Sequence, residues 1–269
     1  MSIINGPFDF TGSIGNMRSY YDPSLGKKIL SRIGGPTREQ FLTDPNYARQ
    51  RQVSSELIGR SLWASQVKQG LSDLRHLMHS RCFNVITAGG KSIQQRDTTS
   101  PNGELAIVVK NNPGILTGID FNKLCPFSKI IGNIYEIILH PDKQTVTFFI
   151  PGFNPSRDVN WGSKFFAVKF SLVIAQISDV VWNPIINGYQ KVVPNLDVFT
   201  RCTYGNWIVR NNEPGDVNLT VIFDEPALIL PGTTVIAAIG VEFSIPANNG
   251  QPFIMPQNGS MAIVGYWTE

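Results

Sequence analysis

His76 and His79 stand three residues apart, with Asp73 three residues before the first and Cys82 three after the second. Steps of three bring neighbours within reach on an α-helix. Imidazole, carboxylate and thiolate are the groups that hold zinc, but a zinc site needs three or four of them converging on one point. Leu74, Leu77 and Met78 share the stretch. The expectation is therefore no metal and no catalytic base here.

Other chemistry is as sparse. His140, before Pro141, completes a set of 3 histidines in 269 residues, which leaves few general bases at neutral pH. There is no Gly-x-Ser-x-Gly elbow and no Cys/His signature. Asp224 and Glu225 adjoin at a strand-to-turn corner before Pro226, a poor arrangement for a glycosidase pair. Gly12-Ser-Ile-Gly15 and Gly34-Gly35 lack the length and the lysine of a phosphate loop and read as turns. Trp161, Trp182, Tyr189, Tyr204, Trp207, Tyr266 and Trp267 could stack sugars, but core and interface packing is the commoner use of such side chains. These observations predict no catalytic residues, no cofactor and no enzyme activity.

The elements that would position these groups divide into three regions. Residues 1–36 form an N-terminal arm, in which Arg18-Ser-Tyr-Tyr21 and Lys28-Ile-Leu-Ser-Arg32 flank Asp22-Pro-Ser-Leu-Gly26 as a hairpin. Residues 37–96 are helical. Thr37 with Gln40 makes a capping box, and Asp44-Pro45 closes that short helix. From Tyr47, Val53, Leu57, Ala64, Val67, Leu71, Leu74 and Met78 recur with helical spacing and predict the buried face. A break is expected near Gly70 and a stop at Gly89-Gly90. Glu56 and Arg60 are placed to pair on the exposed side.

Residues 97–103 read as a linker, and 104–269 as an antiparallel β-sandwich, immunoglobulin-like or jelly-roll-like. Its strands are predicted at 104–110, 130–139, 144–150, 165–175, 189–193, 203–209, 217–223, 235–244 and 261–267. The alternation of Phe166, Val168, Phe170, Leu172 and Ile174, and of Val235, Ala237, Ile239, Val241 and Phe243, sets one face of a sheet against a core. The fold class is α+β.

Composition limits the partners. Residues 1–96 carry 13 Lys/Arg against 6 Asp/Glu, a balance of +7, and 97–269 carry 10 against 14, a balance of −4. Such a split would steer one copy head-to-tail onto another. Lys27-Lys28 is the longest basic cluster, so nucleic acid is not expected. No run nears the roughly 18–20 apolar residues of a membrane span. The start, Met1-Ser-Ile-Ile-Asn-Gly-Pro-Phe8, lacks the pattern of a Sec signal, which predicts a cytoplasmic protein or one released by another route. Cys82, Cys125 and Cys202 are too widely spaced for a zinc knuckle, and their odd count argues for free thiols. The sequon Asn218-Leu-Thr220 falls within a predicted strand and is read as coincidence.

Several segments together resemble an uncharacterised family of Bacteroidetes proteins. They are Ile14-Gly-Asn-Met-Arg-Ser-Tyr-Tyr21, Gly34-Gly-Pro-Thr-Arg-Glu-Gln40, the helix carrying Arg49, Arg51, Glu56 and Gly59, and Ile93-Gln-Gln-Arg-Asp-Thr98. The β region adds Ser178-Asp-Val-Val-Trp182, Gly188-Tyr189, Gly240-Val-Glu-Phe243 and Gly259-Ser-Met-Ala262. Arg51-Gln-Val-Ser-Ser-Glu56 departs from the family's Arg-x-Asn-x-x-Glu form. The resemblance implies one unit of arm, helices and sandwich, and no functional residue comes with it.

The expected function is a structural subunit that self-assembles into a filament, tube, shell or phage-tail-like particle, with itself as partner. Phe8, Phe10, Tyr20 and Tyr21 would anchor the arm on a neighbour, and Arg49, Arg51 and Arg60 would steer the contact. The alternative is a β-sandwich module that binds a carbohydrate or a protein.

Overall fold

The computed structural model describes all residues except 1, 4–9, 113, 123–124, 133–134, 143, 161, 163, 195, 197–199, 224–229, 247–251, 255–258 and 269. The protein mixes helices with several antiparallel sheets, and its chain separates into two compact units, Met1–Arg51 and Gln52–Glu269.

In the first unit, β1 (Ser2–Ile3), β2 (Gly12–Ile14), β3 (Met17–Asp22) and β4 (Lys27–Arg32) form a sheet in the order β1-β4-β3-β2. The hairpin expected around residues 22–26 is present, with Asp22 opposite Lys27 and Met17 opposite Arg32. The arm is thus a small sheet of its own. Thr37 caps α1 (Arg38–Thr43) through the expected capping box, and Asp44 ends it. A 3-10 turn, Pro45–Tyr47, leads into α2 (Ala48–Gly70), which continues into the second unit.

The second unit continues with a 3-10 segment, Ser72–Leu77, then α3 (Cys82–Gln94) and α4 (Phe127–Ile130). Next come β5 (Glu136–Leu139), β6 (Thr145–Phe153), α5 (Pro155–Asp158), β7 (Ala167–Ser178), β8 (Val180–Asn183) and β9 (Gly188–Lys191). The chain ends with β10 (Thr200–Tyr204), β11 (Ile208–Val209), β12 (Gly215–Ile222), β13 (Thr233–Pro246), β14 (Pro252–Ile254) and β15 (Ser260–Thr268). One sheet is centred on β7 and β13, paired from Ser178 opposite Thr233 to Ala167 opposite Ser244. β10 and β11 flank β7, and β14 and β15 flank β13. A second sheet has the order β12-β6-β5, and β8 pairs with β9 as a separate ribbon.

The alternation predicted one buried face for β7 and β13, but both faces are buried. Val168, Phe170, Leu172 and Ile174 join Val235, Ala237, Ile239 and Val241 in a core shared with Val146, Phe148 and Ile150 of β6 and Val217, Leu219 and Val221 of β12. The opposite face, with Val173, Ala175, Ile177, Ile236 and Ala238, packs on Trp63, Ala64 and Val67 of α2 and Ile86 and Ile93 of α3. Strands covered on both sides read as nearly unbroken apolar runs, as Leu172–Ile177 does.

Four local expectations are corrected. No strand forms over 104–110; Ile107 makes an isolated bridge to Val180, while the Ala106 and Val109 N–H groups donate to the carboxylates of Asp97 and Asp179. The stretch predicted as a strand at 130–139 opens with the end of α4 and is a strand from Glu136 on. Gly89-Gly90 does not stop α3. Gly90 instead lets the helix close on α2, where a Cβ would stand 3.2 Å from Cε3 of Trp63. Residues 97–103 are a fastened segment: the Gly103 N–H donates to Oε1 of Glu56 at 3.0 Å, and the Gly103 carbonyl accepts from Ser55 and Tyr189.

Candidate functional site

The described residues picked out for self-association fall in both compact units. Phe8 lies outside the described residues, and Phe10 is partly buried. Tyr20 and Tyr21 occupy opposite faces of β3; Arg18 lies over the Tyr20 ring, while Tyr21 is 55% exposed. Arg49 is exposed at the start of α2. Arg51 donates through Nη1 to the carbonyls of Phe41 and Asp44, fixing the end of α1.

Arg60 requires a correction. It pairs with Glu56, but on the buried side, 3.9 Å away, where both side chains are largely hidden from solvent. It therefore adds nothing to the surface charge. The cause is the segment fastened at Gly103, which needs a carboxylate beneath it. Nearby Asp97 is pushed up by burial, but bonds from Ser100, Ala106 and Thr99 outweigh this and hold it well below the usual carboxylate range.

The first half of α2 departs from the expected apolar stripe, while Ala64 and Val67 farther along are buried as expected. Its buried residues include Glu56, Arg60 and Gln66, whereas Leu57 and Ile58, near its middle, are 49% and 63% exposed. Val53, predicted in the core with Leu57, is exposed as well. Between Arg51 and Lys68 the outward positions, among them Ser54, Leu57, Ile58 and Ser65, carry no charge. A solvent-facing helix normally shows the reverse pattern.

Of the residues of β3 and β4, only Ser19 and Ile29 are buried. Ile14 at 59%, Met17 at 43% and Tyr21 leave an apolar surface open. A sheet of this size needs an apolar face packed on something to be stable.

The densest charged group lies on the helical side of the large sheet. Gly240 lets Leu74 and Leu77 approach, since a Cβ there would stand 2.7 Å from Cδ1 of Leu77. That approach sets His76 over Glu242, with Nε2 2.7 Å from Oε1. Lys169, directly across from Glu242, pairs with Oε2 at 2.5 Å, and its ammonium also lies 5.5 Å from the Tyr204 ring and 5.0 Å from the Trp207 ring. Burial pushes the Glu242 carboxyl up, but His76 and Lys169 outweigh it and keep the group below its ordinary value. Burial raises the Cys202 thiol to about 11 and the Tyr204 phenol to about 12. The arrangement ties the 3-10 segment to β7, β10 and β13 around one carboxylate, hydrogen-bonded by His76 and ion-paired with Lys169. Sequence reasoning missed it, although the signal was available: Lys169 and Glu242 are single opposite charges inside otherwise apolar strand runs.

His76 and His79 do not share a helix, because the 3-10 segment ends at Leu77 and α3 starts at Cys82. His76 turns to Glu242. The Nδ1 of His79 accepts the Arg81 N–H at 3.2 Å, beside a cleft of about 440 Å³ lined by His79, Arg81, Cys82, Asn84, Val85, Ala88 and Phe121. Among the described residues no group of three His, Cys, Asp or Glu side chains is placed to hold a metal ion. His140 hydrogen-bonds Thr147. The Asp224-Glu225 corner and Trp161 lie outside the described residues. The remaining aromatics are dispersed: Trp182 packs edge-on against Tyr189, Trp267 packs on the core between the two sheets, and the Tyr266 hydroxyl accepts from the Gly114 N–H.

No family model, no curated protein and no solved structure matches this chain. Among the described residues no helix is long and apolar enough to cross a membrane.

Proposed function

We propose that the protein is a structural subunit that self-assembles into an ordered particle or polymer, and that 104–269 is a β-sandwich whose outer side is covered by helices. The observation that carries the reading is the N-terminal sheet, which exposes Ile14, Met17 and Tyr21 and buries only Ser19 and Ile29 of its central hairpin. A small sheet with such apolar side chains exposed would gain stability by burying them on a partner. The uncharged outer face of α2 supports the same reading, since large apolar side chains lie where charges would keep copies apart.

The test is direct. Purified full-length protein is examined by sedimentation velocity and negative-stain microscopy across a concentration series. Ordered, concentration-dependent assemblies are expected. A dispersed monomer at all concentrations would sink the proposal and favour the binding-module alternative.

A further inference from the structure

One end of the large sheet holds a buried carboxylate. There β7 stops at Ser178, β13 starts at Thr233 opposite it, and β15 stops at Thr268 opposite Thr234. Asp179 follows directly. Its N–H donates to the Gly232 carbonyl at 2.8 Å, and its carbonyl accepts from the Val192 N–H and the Ser178 hydroxyl. Glycine at 232 permits this, since φ there is +77° and a Cβ would stand 2.5 Å from Cγ1 of Val192. Asp179 is thereby fixed with 5% of its surface exposed.

A buried carboxylate needs donors on both oxygens. Here Oδ1 accepts the Val109 N–H at 3.1 Å, and among the described residues Oδ2 has no donor. Burial pushes the carboxyl above its ordinary value, and the Val109 N–H offsets only part of this. The group is not sealed in a core. Asp179 lines a cleft of about 270 Å³, together with Val108 and Lys110, the two neighbours of the residue that bonds it. Lys110 is exposed, and among the described residues no ion pair joins it to Asp179 or to another carboxylate. Val192 and Pro231 add apolar wall, with Val192 40% exposed. The cleft thus offers a buried anion, an exposed cation and an apolar surface beside them.

We infer that this cleft binds a small zwitterion, an α-amino acid with an apolar side chain. Its ammonium donates to Oδ2 of Asp179, its carboxylate meets Lys110, and its side chain lies on Val108, Val192 and Pro231. The charges decide the class. A simple amine would answer Asp179 but be repelled by Lys110, and a simple carboxylate would meet Lys110 but set like charge against Asp179. The volume favours a small ligand, since drug-sized molecules fill about 300–1,000 Å³.

The site lies within the second unit, and its test does not depend on self-assembly. L-valine is titrated into the full-length protein by calorimetry, beside isobutylamine and isovalerate, which each lack one of its charged groups. L-valine should bind at millimolar concentration, and each analogue should bind about tenfold or more weakly. Asp179→Asn keeps the shape and removes the charge, and it should lose about tenfold or more in affinity while remaining folded by circular dichroism. Lys110→Met, at an exposed position, should weaken binding to a similar degree. No heat with L-valine at millimolar concentration would overturn the inference. So would an analogue that binds as well as L-valine, or either variant binding it as the parent does.

Discussion

Lys169 and Glu242 are direct cross-strand neighbours whose ammonium and carboxylate pair on a face largely closed to water. Removing one partner should cost far more than removing both. Lys169→Met leaves a buried carboxylate held by His76 alone and should destabilise the protein by about 3–5 kcal/mol. Lys169→Met with Glu242→Leu should fall near the parent or above it. Urea unfolding of the three proteins checks the order, and a double variant no better than the single one would contradict it.

The acid limb of stability should depend on two carboxylates in opposite senses. Glu242 is held below its ordinary value in the folded protein. Its contribution is present above the unfolded carboxylate value, about 4.3, and is lost as pH falls through the folded value. Asp179 is raised by burial, so its contribution is complete below the unfolded value, about 3.9, and is lost as pH rises through the folded one. Glu242→Gln should therefore flatten the melting-temperature profile between neutral pH and about pH 3. Asp179→Asn should raise the melting temperature at neutral pH, with little gain in acid.

Gly59 and Tyr189 make a sharper packing test. A Cβ at Gly59 would stand 2.6 Å from Cδ1 of the Tyr189 ring, whose hydroxyl is fixed on Gly103 and Leu105. Overpacking costs about 1–3 kcal/mol, against about 1 kcal/mol that alanine returns within a helix. Gly59→Ala should be destabilising despite its better helix propensity. An unchanged unfolding midpoint would show that the β8–β9 ribbon yields easily.

The exposed residues of α2 should matter to association and not to folding. Leu57→Glu with Ile58→Glu should move the unfolding free energy by no more than about 0.5 kcal/mol per site. It should also lower self-association of the full-length protein. A loss of several kcal/mol on urea unfolding would place these side chains in a core after all.

The strands were the most legible part of the sequence, and the reasons are local. Val217, Leu219 and Val221 alternate with polar residues because β12 has one face in the core and one outward. The capping box at Thr37 and the end of α2 at Gly70 are backbone chemistry written in a few neighbouring residues. What failed depended on partners distant in the chain. Val53 and Leu57 match a helical apolar stripe, yet near the start of α2 Glu56 turns inward to meet Gly103, forty-seven residues away. Gly89-Gly90 looks like a stop until Trp63 is placed against it. The pairing of His76 with Glu242 spans 166 positions, and only the lone charge of Glu242 in an apolar run hints at it.

The helix α2 passes from one compact unit into the other without a break in its hydrogen-bonded turns. Its later half is seated by Trp63 and Val67 in a core that needs Val173 of β7, Ile236 of β13 and Ile263 of β15. During synthesis these strands leave the ribosome long after residues 1–51 have been made. The hairpin that would recruit a neighbour is therefore exposed early, but the helix that carries it has no seat until the last strand is complete. If copies assemble as proposed, the order of translation would delay that assembly until the last strand is complete.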